Sequence, residues 1–119
     1  MVVVELKTSK PAAVQDYCRW ESMNVTCPGD SVFLAKSALY GRMRMSRCTT
    51  MDYYIGCYTD ILFQVDERCS GRRQCTVAVP DPDFHELQPC PKDLGAYLEA
   101  EYECVRGNFE GIQIASERQ

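Results

Sequence analysis

The chain has 119 residues, 45% of them hydrophobic and 25% charged, the balance of an ordinary globular domain, which excludes disorder and collagen-like structure. This is one domain's worth of chain. The formal net charge of −4 argues against nucleic acid as a partner, because neutralised phosphates supply most of that affinity. The charge is uneven, however: residues 1–50 sum to +3 and residues 51–119 to −7. The longest apolar stretches, Val2–Val4 and Val32–Ala35, fall far short of the roughly 20 residues that insert a helix into a bilayer. Residues 1–7 lack the basic start and long apolar run of a signal peptide, so a secreted protein would be represented here by a fragment or mature form.

Cysteine is the outlying residue, with eight: Cys18, Cys27, Cys48, Cys57, Cys69, Cys75, Cys90 and Cys104. No two sit at the two-to-four-residue spacing with which a structural zinc site aims paired thiolates at one ion. An even, widely spaced set predicts four disulfides and an oxidising compartment, with 105 pairings open to spacing alone.

In chain order, residues 1–16 read as a lead-in with one short strand, and the folded unit is expected over 17–105. Met23, Val25 and Cys27 alternate with polar residues as a half-buried strand does. Val32–Ala35 and Thr76–Val79 are uninterrupted enough to predict deeper burial. From Asp60 to Cys69 the period changes: Ile61, Val65 and Cys69 recur every four residues, with Thr59 or Asp60 as N-cap and Gly71 past the end. That predicts one main helix, over about 60–69. Leu98, Ala100, Tyr102 and Cys104 alternate with Glu99, Glu101 and Glu103, a strand with three carboxylates on its wet face. Residues 106–119 read as a linker or tail. The fold class is α+β, a small disulfide-rich antiparallel sandwich-like domain.

Catalytic chemistry finds no footing. Nucleophilic catalysis needs an activated nucleophile beside a base, yet His85 is the only imidazole and the cysteines are consumed in bridges. Asp81, Asp83 and Glu86 lack the residue order of a calcium loop and read as a solvated turn. No metal or other cofactor is expected. Asn24-Val25-Thr26 is an N-glycosylation acceptor triplet on the outward face of a strand.

Several segments together resemble a known family: Cys18-x8-Cys27-Pro28-Gly29, Ser37-Ala38-Leu39-Tyr40-Gly41-Arg42, Cys69-Ser-Gly-Arg-Arg-Gln-Cys75, Gln88-Pro-Cys90-Pro, and Ala96-Tyr-Leu-Glu-Ala-Glu-Tyr-Glu-Cys104. The family is the galactose/rhamnose-binding lectin domain of sea-urchin-egg-lectin type, as in fish egg lectins and latrophilin-like adhesion receptors. The resemblance implies the pairs Cys18–Cys48, Cys27–Cys104, Cys57–Cys90 and Cys69–Cys75. It also implies a sugar pocket that includes Tyr40, Gly41 and Arg42. Two carboxylate positions of that pocket hold Arg19 and Gln88 here. The loop 91–97, which carries Lys92, is one residue longer than the pattern and has Ala96 in place of a lysine. Losing carboxylates that accept from sugar hydroxyls weakens neutral-sugar binding, since those hydroxyls are then desolvated without a partner.

Arg42, Arg44 and Arg47 lie in one stretch, and the implied Cys18–Cys48 bridge brings Arg19 toward them. Arg19, Arg42, Arg44 and Arg47 are therefore expected to form an anion patch for sulfated, heparan-type glycans or an acidic surface. The whole reads as a non-enzymatic extracellular recognition domain, secreted or part of a membrane protein's ectodomain. Its partner is a glycan at the pocket or, alternatively, another protein's ectodomain.

Overall fold

The computed structural model describes residues 7–106. In chain order the elements are β1 (Lys7–Tyr17), β2 (Ser22–Thr26), β3 (Val32–Arg42), β4 (Cys57–Asp60), α1 (Leu62–Cys69), β5 (Gln74–Ala78), α2 (Pro82–Leu87) and β6 (Tyr97–Arg106). Two antiparallel sheets result: four strands in the order β1-β6-β3-β4, and the ribbon β2-β5. The fold is the expected disulfide-rich α+β arrangement, with α1 within the expected span.

Residues Met23 and Val25 of β2, Cys75 and Val77 of β5, Phe33, Ala38 and Tyr40 of β3, and Leu98, Ala100, Tyr102 and Cys104 of β6 meet in one buried cluster. Ile61, Val65 and Cys69 add the buried stripe of α1, as their four-residue recurrence requires. On that helix the N-cap is Ile61, with no side-chain cap. Asp60, expected at the cap, stands one residue earlier, and its carboxylate accepts from the Leu62 amide at 2.8 Å.

Four expectations need correction. Val32–Ala35 is only the start of an eleven-residue strand, and it alternates between buried and partly buried rather than lying deep. Its alternation is interrupted because β3 bulges: Ala35 pairs with Tyr102 and Ser37 with Glu101, leaving Lys36 extra. One inserted residue reverses which face each later side chain takes. Phe33 and Ala35 before the bulge, and Ala38 and Tyr40 after it, consequently share the core face. Thr76 is exposed while Val77 and Val79 are buried, so that segment too is buried on one face only. Asp81, Asp83 and Glu86 belong to a second helix, α2, rather than to a turn. Asp81 is its N-cap, accepting from the amides of Asp83 and Phe84, with Pro82 at the first position, where its missing N–H costs nothing.

Part of the expected lead-in is also structural: β1 occupies Lys7–Tyr17 and pairs along β6. Residues 1–6 of that lead-in and residues 107–119 of the expected tail lie outside the described residues.

The disulfides are Cys18–Cys48, Cys27–Cys104, Cys57–Cys90 and Cys69–Cys75, the pairs that the resemblance implies. Cys27–Cys104 spans 77 residues and joins the end of β2 to β6. By the loop-entropy relation such a closure stabilises the fold by about 4–5 kcal/mol. Replacing both Cys27 and Cys104 by alanine should lower the unfolding free energy by about that amount in urea titration. The equivalent pair of changes at Cys69 and Cys75, which close a six-residue separation, should cost measurably less.

Candidate functional site

A shallow pocket of about 300 Å³ opens where four segments converge, at the small end of the range for ligand sites. Tyr40 lines it from β3, Arg19 and Trp20 from the turn after Cys18, Asp81 and His85 from α2, and Gly95 from loop 91–96. Tyr40 is only 2% exposed and packs against Phe84, the rings tilted by 54° with 5.8 Å between centroids. Its hydroxyl has no hydrogen-bond partner among the described residues. Burial, then the Asp81 carboxylate, push that hydroxyl's pKa up, while Arg19 pulls it down; the net direction is upward. The phenol therefore stays protonated at neutral pH and serves as a donor facing the pocket.

Trp20 is the chain's single tryptophan and is 76% exposed. The Glu21 amide donates to the Cys18 carbonyl at 3.0 Å, which closes a four-residue turn. Trp20 holds its third position with φ of 71°, a conformation that ordinarily calls for glycine. A bulky side chain held there costs about 1–3 kcal/mol, and such strain persists only where the surroundings impose it, typically at ligand clamps. Three contacts impose it here. Cys18 is bridged to Cys48, the Cys18 amide donates to Glu21 Oε1 at 2.6 Å, and Arg47 donates to both Glu21 oxygens. Hydrogen bonds from Arg47 and from Cys18 hold the Glu21 carboxyl below the usual range. Sequence reasoning passed over Trp20; the available signal was a lone tryptophan between a cysteine and a strand.

Of the residues expected in the sugar pocket, Arg19, Tyr40 and Lys92 line it, while Gly41, Arg42 and Gln88 do not. Gly41 takes φ of 148°, and a Cβ there would meet the Cys57 carbonyl and lie 2.6 Å from Tyr58 Cα. It permits the close approach of β4. Arg42 is 7% exposed, and its guanidinium donates to the Gly95 carbonyl at 2.7 Å and to the Tyr53 carbonyl at 3.0 and 3.2 Å. A buried cation must be fully hydrogen-bonded, and this one is consumed in holding two loops. Gln88 is 1% exposed, folded back on Cys90, whose amide donates to Gln88 Oε1 at 2.9 Å. Lys92 lies at the rim, but its ammonium donates to the carbonyls of His85, Glu86 and Gln88, capping the end of α2.

The four-arginine patch is not formed. Arg42 is buried, Arg44 pairs with Glu99 and Asp16, and Arg47 pairs with Glu21. β3 ends at Arg42, so Arg44 and Arg47 lie beyond the strand and closeness in the chain does not put the three arginines on one face. Of the four, only Arg19 has neither a carboxylate nor a main-chain acceptor among the described residues.

A pocket with a floor hydroxyl, an exposed aromatic rim and one free guanidinium defines a binding module. Residues 25–104 match the family model of the D-galactoside/L-rhamnose binding SUEL lectin domain, and the chain belongs to that family. Adhesion G protein-coupled receptor L1 from Mus musculus, and likewise from Homo sapiens and Bos taurus, is 32% identical over 92 residues, covering 74% of this chain. The chain spans only about 6% of the length of these relatives. It is a non-enzymatic recognition domain.

Two substitutions, one beside the pocket and one in its wall, test these contacts. Gly41→Ala forces both a disfavoured φ and a backbone clash, and should destabilise the fold by about 2–5 kcal/mol by denaturant titration. Burial raises the Asp81 carboxyl, but hydrogen bonds from Arg68 and from the Phe84 and Asp83 amides hold it below its ordinary value. A depressed folded pKa means that the stabilisation is complete above the unfolded value of about 3.9 and is lost as pH falls through the folded one. The stability gap between the parent chain and Asp81→Asn should accordingly close on acidification from about pH 6 to about pH 2.5.

Proposed function

We propose that this chain is an extracellular domain that binds the terminal residue of a glycan in the pocket between turn 18–21 and loop 91–96. The carrying observation is the Tyr40 hydroxyl, without a hydrogen-bond partner among the described residues on an otherwise buried side chain, in a pocket whose rim is the exposed Trp20. A sugar presents one apolar face and several hydroxyls, which suits an aromatic platform beside a hydrogen-bond donor. Four disulfides favour an oxidising, extracellular setting, as does the name of the adhesion receptors it resembles. Asn24, exposed on β2, is proposed as a glycan attachment site away from the pocket.

Free galactose or rhamnose is expected to bind no tighter than millimolar, about −4 kcal/mol, because Arg19 and the inward-turned Gln88 stand where carboxylate acceptors are implied. On a glycan array, the domain stripped of its own glycans should give signals that fall at least tenfold in both Tyr40→Phe and Trp20→Ala. An array without signal, or signals that both variants retain, would overturn the pocket reading.

A second reading is favoured by a separate surface. Met45, Met51, Tyr53, Tyr54 and Tyr58 are all exposed, in and beside the loop that joins β3 to β4. Tyrosine and methionine are enriched at protein interfaces, so this face suits a partner ectodomain. Tyr54→Ala with Tyr58→Ala should abolish such an interaction while leaving array signals unchanged.

A further inference from the structure

We propose that the pocket selects a saccharide that carries a carboxylate, with Arg19 as the residue that reads it; this rests on the saccharide reading above. The other charged groups at the pocket are largely committed. The Lys92 ammonium is spent on three carbonyls. The Asp81 carboxylate holds two helix amides and the Arg68 guanidinium, the latter at 2.8 Å. Arg19 remains, and its guanidinium lies over the Trp20 ring, 4.9 Å from the centroid. Stacking uses the face of a guanidinium and leaves its N–H edges free for the bidentate recognition of a planar anion.

The pocket wall is shaped around this side chain. A Cβ on Gly95 would come within 2.7 Å of Arg19 Cδ and 3.1 Å of Nη1. The absence of a side chain at Gly95 therefore lets the arginine lie across loop 91–96. Gly95 is itself held by Arg42, through its carbonyl at 2.7 Å. Arg19 is thus seated between an aromatic ring and a glycine, at the mouth of a pocket whose floor offers the Tyr40 hydroxyl. A uronic or sialic acid unit supplies what these groups accept: a carboxylate for Arg19, an apolar ring face for Trp20 and a hydroxyl for Tyr40. The opposing feature is Asp93, an exposed carboxylate on the rim, which lowers affinity for any anion.

The test compares the methyl glycosides of galactose and of galacturonic acid, which differ only at C6, by calorimetry or ligand-observed NMR on the folded, disulfide-intact chain. At neutral pH the uronate should bind at least tenfold more tightly. That advantage should vanish when its carboxylate is esterified, and in Arg19→Gln. Gly95→Ala, which displaces the arginine while keeping its charge, should reduce it several-fold. Arg73→Gln, an exposed cation outside the pocket, should leave it intact, and Asp93→Asn should increase it a few-fold. Equal affinity for the two sugars would overturn the anion preference and leave the saccharide reading standing. Binding of neither sugar would overturn both. Acetate competing as strongly as the uronate would also overturn the proposal, since Trp20 and Tyr40 would then recognise nothing.

Discussion

The guanidinium of Arg42, buried under the two long loops, is the contact on which both candidate binding surfaces depend. Burying a cation without partners costs several kcal/mol, so its N–H groups dictate where acceptors must be placed. Here the acceptors are main-chain carbonyls, of Gly95 on one side and Tyr53 on the other. Loop 91–96 forms one wall of the pocket, and the loop around Tyr53 carries the exposed tyrosines. A single side chain at the end of β3 thereby fixes two surfaces of different character. Tyr97 adds a second tie nearby, since its hydroxyl exchanges hydrogen bonds with the main chain of Arg44.

Much of the scaffold was legible in the residues because it rests on local periodicity. The alternation in β2 and β6 and the four-residue recurrence in α1 are consequences of strand and helix geometry, and all three elements are present. β3 was legible only as far as Ala35, because an inserted residue switches the alternation, and nothing in Lys36 itself announces a bulge. α2 was missed because it is only six residues long, too short for a period to register, although Asp81-Pro82 is a helix-start signal. The four cysteine pairs were not legible from spacing; they came through the likeness to the lectin family.

The site was less legible, for a physical reason. A sequence shows that a charged residue is present, but not whether its charge is already spent. Arg42, Arg44, Arg47, Lys92 and Gln88 all looked available, and each is committed to a carbonyl, a carboxylate or an amide of its own chain. Some of these partners lie far away in sequence, as with Arg44 and Glu99; others, as with Gln88 and Cys90, are neighbours that only a particular local backbone path brings into contact. Trp20 had the converse fate: a tryptophan is ordinarily credited to the core, whereas here a left-handed turn lifts it into solvent.

The turn at residues 18–21 has a consequence for how such a domain changes its ligand. Its closure relies on the disulfide at Cys18, the carbonyl of Cys18 and the carboxylate of Glu21, with Arg47 behind it. None of these bonds involves the side chain of Arg19 or Trp20. The two residues proposed to meet a ligand are therefore decoupled from the bonds that close the loop. On the proposed reading, substitution at Arg19 alters recognition at little expense to folding, and replacement of Trp20 by glycine even relieves backbone strain. Selection can act on these two positions almost independently of the rest of the chain, which lets one disulfide-stapled frame diversify its specificity.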